Sequence, residues 1–401
     1  MVYMAGFNNL TDFATKDLEE MRKVGSTDEV KVAVFIKQLD RKSAKHIVVG
    51  KDGQGEQSEK VGDADSGNPQ TLLDFVRWAA KAAPAERYAL VVWNHGSGWQ
   101  PDDLDELYAH VRGNGDVTPR ELGVRATQEV ARSLFAPTVE KILSLPTAGD
   151  RAIASDDGTG HSLDTIELNR VLKKAHDELD APLALLGMDA CLMSTFEVAY
   201  EARKHVAAVV GSEELEPGDG WPYTPILKAL NDNPDMEGDD LGKVVVERYL
   251  KSYERRKGQW PVTMCAVTTA QLDGFADAVD GLAKALRSHM REEGDAAKVI
   301  RAQARSAAFT GDLVDLRTFC RELRAAGVVK DSAGEVIDAL KPGRYVVDEG
   351  HLGESVEGCG GVTLYFPPPL TKISPYYKDL AFAKRGWDEF LRSYQRAVRG
   401  E

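Results

Sequence analysis

A histidine and a cysteine in this 401-residue chain each stand just past an apolar run, one followed by glycines and the other by a helix-like segment. His95 follows Tyr88-Ala89-Leu90-Val91-Val92-Trp93 and opens the run His95-Gly96-Ser97-Gly98-Trp99. Cys191 follows Leu183-Ala184-Leu185-Leu186-Gly187-Met188 and Asp189-Ala190, and precedes Ser194-Thr195-Phe196-Glu197. Open α/β sheets bind ligands beyond the carboxyl ends of their strands, and glycines there let backbone approach closely. A thiol ahead of a helix feels aligned N–H groups that favour thiolate, and a nearby imidazole can take or return its proton. The pair spells attack by sulfur on a carbonyl, with His95 as general base or ion-pair partner and later as acid. Backbone N–H groups around Gly96 and Cys191 are the candidate oxyanion hole, where losing one donor typically costs about 100- to 1000-fold in rate. No metal is required for that step. Alone, a cysteine at a strand end is most often a small packed hydrophobe. Its pairing with a histidine at an equivalent strand end turns the reading toward catalysis.

Asp189 stands two residues before the sulfur, where a carboxylate would raise the thiol pKa and weaken the nucleophile. It makes more sense facing a pocket that awaits a cation. Arginine meeting a buried carboxylate in fork geometry gains two charge-assisted hydrogen bonds, whereas an apolar side chain would leave the charge unpaired at several kcal/mol. Arg, then Lys, is the expected side chain. Asp219, in Pro217-Gly218-Asp219-Gly220-Trp221, is the candidate second acid of this substrate-binding pocket, its plainer reading being a turn aspartate. Two rivals stand beside this reading. One is a noncatalytic scaffold that binds a basic peptide or partner protein, with the cysteine silent. The other is serine hydrolysis through Ser97, although His95 occupies the place of the first glycine in a GxSxG elbow.

The elements that must position these residues follow from hydrophobic pattern. Short apolar runs rich in β-branched or aromatic residues alternate with longer stretches of helical period, which is the pattern of βα units around a mostly parallel sheet. Strands are expected at Val2–Met4, Val30–Ile36, Tyr88–Trp93, Leu183–Gly187, Ala207–Gly211 and Val262–Thr268. Helices are expected near Thr11–Val24, Thr71–Ala83, Ser162–Leu179, Thr195–Lys204 and Leu241–Arg256. Gly50–Pro69 lacks periodicity and reads as an exposed hairpin tip or loop. The pattern divides the chain into a core over residues 1–268, interrupted by an insertion at about 101–154, and a mainly helical region over 269–401 packed on that core. In the second region helices are expected at Leu272–Met290, Ala296–Ala308, Leu313–Ala326 and Glu335–Leu340, then a strand at Gly361–Phe366 and an aromatic-rich final helix.

Composition removes several classes of function. With 50 Lys and Arg against 64 Asp and Glu, the net charge is −14, which argues against binding nucleic acid or an anionic membrane through basic clusters. The four cysteines, Cys191, Cys265, Cys320 and Cys359, contain no CxxC pair, so neither a zinc ribbon nor a disulfide framework is expected. No basic region with an apolar core opens the chain and no run of 18 apolar residues occurs, so a cytoplasmic protein is expected. A chain already trimmed of a leader, and hence secreted, would read the same.

These segments resemble the clostripain-like cysteine peptidases, relatives of caspases, gingipains and metacaspases. The resemblance spans nearly the whole chain. It is carried by Tyr3-Met4-Ala5-Gly6-Phe7-Asn8-Asn9-Leu10, Val92 to Trp99, Leu186 to Ser194, Gly211 to Tyr223 and Gly361-Val362-Thr363-Leu364-Tyr365-Phe366-Pro367. It implies a caspase-like αβα sandwich and an endopeptidase, with His95 and Cys191 as dyad and Asp189 and Asp219 lining the specificity pocket. The implied partner is a protein or peptide with Arg or Lys at the cleavage position. Ser97 replaces a glycine common in the family's histidine motif. His95 and Cys191 are 96 residues apart, roughly double the spacing of compact members, and the surplus falls in the insertion. Family members are often zymogens cut between these two residues, so Arg112, Arg120, Arg125 and Arg132 are candidate processing sites, for the chain itself or for an upstream activating protease. The equal alternative is a surface subdomain. Some relatives depend on calcium, and Asp102-Asp103-Leu104-Asp105-Glu106 and Asp156-Asp157-Gly158 offer oxygens to a hard cation. Neither run has EF-hand spacing, so solvated acidic loops and no cofactor are expected.

Overall fold

A computed structural model describes residues 1–39, 41–99, 153–156, 161–256, 261–292 and 296–400. The strands in chain order are β1 (Val2–Gly6), β2 (Ala33–Gln38), β3 (Arg41–Val48), β4 (Gln57–Gly62), β5 (Ala89–Trp93), β6 (Ile153–Asp156) and β7 (His161–Leu163). They continue with β8 (Leu183–Asp189), β9 (Val206–Gly211), β10 (Val262–Thr268), β11 (Ala308–Phe309), β12 (Leu313–Asp315), β13 (Val346–Leu352) and β14 (Thr363–Tyr365). Nine of them form one sheet in the order β13-β10-β9-β8-β5-β1-β2-β3-β4. Its middle, from β9 to β2, is parallel, and an antiparallel pair extends each side.

The parallel middle is buried on both faces, which is why its strands read as unbroken apolar runs. Alternate residues feed separate layers. Val2, Met4, Val34, Ile36 and Trp93 pack with α1 (Thr11–Val24) on one face, while Tyr3, Ala5, Phe35 and Val92 pack with α2 (Pro69–Ala82) on the other. The second face also carries α3 (Thr165–Leu179) and α4 (Phe196–Ala202); the first carries α5 (Tyr223–Asp232) and α6 (Gly238–Tyr253). The sandwich expected from the alternation of elements is thus present. Polar caps set the helix starts: Asn68 accepts from Gln70 N–H ahead of Pro69, and Asp164 with Glu167 forms a capping box.

Beyond residue 269 come α7 (Leu272–Glu292), α8 (Ala296–Arg305), α9 (Leu316–Ala325), α10 (Lys330–Ala339) and α11 (Trp387–Arg399). The expected helix at Leu313–Ala326 begins three residues late. Leu313–Asp315 instead pairs in the small sheet β11-β12-β14, and Asp315 caps α9 by accepting from Thr318 N–H at 2.7 Å. β13 pairs antiparallel with β10 at the edge of the main sheet. Phe196 of α4 meets Phe275, Tyr345 and Phe382 edge-on, so the helices after 269 and the sheet share one apolar cluster.

Two local expectations change. Gly50–Pro69 is not all loop, because Gln57–Gly62 forms the exposed edge strand β4, its charged side chains facing solvent while β3 pairs with one side of its backbone. Asp156 is not a solvated acid: it is fully buried, and Lys37 Nζ meets it at 2.9 Å while Ser66 donates from N–H and Oγ at 2.9 and 2.8 Å. The other residues of the two acidic runs, and the insertion up to residue 152, lie outside the described residues. Burial opposes ionisation of Asp156, yet Lys37 and Ser66 hold its carboxyl below the ordinary range. Removing one partner of such a pair strands a buried charge at about 3–5 kcal/mol. Lys37→Met should therefore lower the denaturant midpoint sharply, and adding Asp156→Leu should recover most of it; equal losses in the single and double variants would contradict the pairing.

Candidate active site

β5 and β8 are parallel neighbours in a register that sets Trp93 opposite Asp189. Two residues further along each chain come His95 and Cys191, so both leave the sheet at the same height. Asn94 N–H donates to Asp189 O at 3.3 Å and keeps the two strand ends together. Gly96 shows how close the two loops run: a Cβ there would sit 2.4 Å from Cys191 O and 2.8 Å from Met193 Cγ. Glycine is the residue this approach allows. Trp99 anchors the histidine loop, packing edge-on against Tyr365 and Tyr377.

The cysteine loop is tied on two sides. Leu192 N–H donates to Glu214 O at 3.3 Å and Ser194 N–H to Ser212 O at 2.9 Å, while Thr363 N–H donates to Ser194 O at 3.0 Å. Leu192 has φ 63°, a left-handed conformation that costs a branched residue roughly 1–3 kcal/mol and that these bonds hold in place. Cys191 is partly buried, and Glu216 N–H donates to its Sγ at 3.2 Å. Burial pushes the thiol up to about 12, with Glu216 and then Glu214 adding to the shift. Helix α4 starts five residues past the sulfur, capped by Thr195, and a helix field fades beyond its first turn.

His95, Asp189, Cys191 and Glu216 line one cleft with Trp93 and Gly218. Asp189 is 5% exposed and accepts from Tyr223 Oη at 2.8 Å and Trp221 N–H at 3.4 Å. Burial raises it to about 6 against those donors. Glu216, also 5% exposed, is raised further by burial and by the negative Asp189 beside it. Asp17 approaches from α1, accepting from Trp93 Nε1 at 2.8 Å, and is raised to about 9 by burial and Asp189. Gly220, at φ 55°, fits against this floor, since a Cβ would lie 3.0 Å from Asp189 Oδ1.

The structure thus brings His95, Gly96, Asp189 and Cys191 together. It does not bring Asp219 into the lining: that carboxylate pairs with Lys16 of α1 at 2.5 Å. Ser97 is buried outside the cleft lining. Arg112, Arg120, Arg125 and Arg132 lie outside the described residues. Sequence reasoning missed Glu216, Asp17 and Asn9, whose side chain meets His95 Nε2 at 2.7 Å. Glu216 and Asn9 stood within motifs already singled out, but only the loop paths show which way they face.

Among the described residues, Glu213, Asp315 and Cys359 bring metal-ligand atoms within 4.8 Å of one another. Gly361 N–H and Gly360 N–H already donate to the two carboxyls, at 2.9 and 2.7 Å. Burial, then the charge of Asp315, raises Glu213 well above the ordinary carboxyl range, and burial raises Asp315 as well.

Asp189, Glu197, Glu214 and Asp17 are raised, chiefly by burial, to about 6, 7, 8 and 9. Unfolded, such groups ionise near pH 4. Between these limits the folded chain binds more protons, so its stability is full at the acid end of the window and drains away as pH rises. The thermal midpoint should be higher near about pH 5.5 than near about pH 8.5; the opposite order would mean that these carboxyls are not buried as described.

Residues 2–114 and 145–394 match the clostripain family, Peptidase_C11. No curated protein matches the chain. Solved structures do. A secreted C11 cysteine protease from Bacteroides thetaiotaomicron, in complex with an irreversible peptide inhibitor, is 18% identical with a TM-score of 0.67, over 97% of this chain and 98% of the other. An inactive zymogen C11 protease from Parabacteroides distasonis is 16% identical with a TM-score of 0.65, over 96% of both chains. Iotapain, also a secreted C11 cysteine protease from B. thetaiotaomicron, is 13% identical with a TM-score of 0.65, over 96% of this chain and 97% of the other. Identities this low speak for the caspase-like fold alone, whereas the family match runs through both loops of the cleft. This chain belongs to the clostripain family of C11 cysteine peptidases, hydrolases that act on protein or peptide substrates.

Proposed function

We propose that this peptidase is an endopeptidase cutting after Arg, and second after Lys, with Cys191 as nucleophile and His95 as its proton partner. One observation carries the reading: a buried carboxyl pair, Asp189 and Glu216, floors the cleft that His95 and Cys191 share. Such a floor suits a side chain that brings a delocalised cation and several donors. Burial raises the pKa of the sulfur, which suits His95 acting as general base in the step. The thiolate attacks the carbonyl carbon, and backbone N–H groups of Gly96 and Cys191 receive the oxyanion. Collapse expels the amine with the proton from His95; water, deprotonated by His95, then attacks the acyl-enzyme and releases Cys191. Asp219, held by Lys16 at the rim, is the lesser acid in this reading.

The insertion at 101–154 is the proposed processing segment, with Arg112, Arg120, Arg125 and Arg132 as cutting sites that the enzyme's own preference would accept. The inactive C11 zymogen of similar fold supports this. Cys191→Ala should abolish cleavage of an Arg-ended fluorogenic peptide without moving the thermal midpoint, and should leave the insertion uncut when N-termini are mapped after incubation alone. Retained turnover would remove the nucleophile assignment, and an insertion uncut in the parent enzyme would remove self-processing. The floor makes a second claim. KM for an Arg substrate should fall as pH rises through about 6, when Asp189 gives up its proton. Asp189→Asn should flatten that dependence and cost about 100-fold or more in kcat/KM. A parent enzyme equally active on Arg and Asp substrates would contradict the pocket.

A further inference from the structure

The loop between β1 and α1 holds a pair of asparagines whose side chains face the histidine loop. β1 pairs with β5 so that Met4 stands opposite Trp93, which brings residues 5–10 alongside residues 94–95. Asn8 builds the contact: its Nδ2 donates to Asn94 Oδ1 at 2.8 Å and to Ala5 O at 3.2 Å, and Leu10 N–H donates to its Oδ1 at 2.9 Å. Asn94 in turn donates from Nδ2 to Ala5 O at 2.7 Å, and its Oδ1 accepts from His95 N–H at 2.5 Å. The backbone on either side of Asn9 is thereby fixed, and Asn9 Oδ1 lies 2.7 Å from His95 Nε2.

An amide oxygen only accepts, so His95 Nε2 carries the proton at this contact. A neutral imidazole protonated on Nε2 keeps its lone pair on Nδ1, and that nitrogen is then the base. Once Nδ1 takes a proton, the same oxygen faces an imidazolium and its hydrogen bond becomes charge-assisted. We infer that Asn9 is a positioning residue of the reaction, which fixes the tautomer and plane of His95 so that Nδ1 exchanges the proton with Cys191, first as base and then as acid. The inference rests on the proposed role of His95 and adds the residue that makes one imidazole nitrogen, not the other, do the work.

Three variants of the full chain test it, with steady-state kinetics on an Arg-ended fluorogenic peptide across pH. Asn9→Ala should lower kcat by about 100-fold with KM within about twofold, the loss expected when a reacting group is misplaced by an ångström. Asn9→Asp keeps an acceptor in the same place and should restore much of kcat. By adding a negative charge beside the ring it should also move the acid limb of the kcat profile up by about one pH unit or more. His95→Ala is the control for the underlying reading. If His95→Ala abolishes turnover while Asn9→Ala retains kcat, or loses it only through KM, the inference fails and the histidine stands. It fails likewise if Asn9→Asp matches Asn9→Ala in loss and leaves the acid limb in place, since a structural role would move neither readout selectively. Turnover retained in His95→Ala would overturn both.

Discussion

Parallel pairing of β5 with β8 sets Trp93 opposite Asp189, and both loops of the cleft take their height above the sheet from it. A slip by one residue would shift His95 by about 3.3 Å and turn Trp93 and Asp189 to opposite faces. Side chains on both layers oppose such a slip. Trp93 is bonded through Nε1 to Asp17 on one face, and Val92 is packed in the other. Above the sheet, the backbone at Gly96 runs so close to Cys191 O that no room is left between the two loops for a methyl group.

Chain far from the cleft in sequence contributes to the same constraint. Ser194 donates through Oγ to Gly361 O at 2.6 Å, and Glu197, at the start of α4, accepts from Tyr365 N–H at 3.0 Å and from Tyr377 Oη at 3.3 Å. The cysteine loop is thus clamped between the strand end behind it and β14 in front of it. A left-handed Leu192 persists under that clamp because the bonds on either side outweigh its local cost. The aromatic cluster around Trp99, Tyr365 and Tyr377 performs the equivalent service for the histidine loop.

What was legible in the sequence follows from how each element is stabilised. Strands buried on both faces must be apolar throughout, so β1, β5, β8, β9 and β10 are recognisable from composition. β4 has no such signature: Gln57-Ser58-Glu59-Lys60-Val61-Gly62 is a strand only because β3 offers it a ladder. β13 is similarly half-exposed, and its pairing with β10 links residues that nothing local connects. His95 and Cys191 stood out because glycines and strand ends flank them. Glu216 did not, since a glutamate before proline in a loop looks like solvent-facing charge, and its burial comes from a path set by Trp221, Gly218 and the floor beneath. Asp219, three residues on, was the more conspicuous acid and lies against Lys16 instead.

The acidic floor changes how discrimination for a cation would work. A fixed buried anion would reject an uncharged side chain at all pH, because filling the pocket would strand the charge. Asp189 and Glu216 lie too close together and too deep for both to ionise easily, and each is raised first by burial. An empty pocket can therefore hold a proton in place of a cation. Entry of a guanidinium must expel that proton, so part of the ion-pair energy is used in deprotonation, and that part shrinks as pH rises. Below about 6, where Asp189 is protonated, the floor is closer to neutral and an uncharged side chain meets a smaller penalty. Selectivity for Arg over uncharged residues, on the proposed reading, is thus a property of the proton-binding pair and grows with pH, whereas a lone aspartate with an ordinary pKa would give selectivity that is flat across the neutral range.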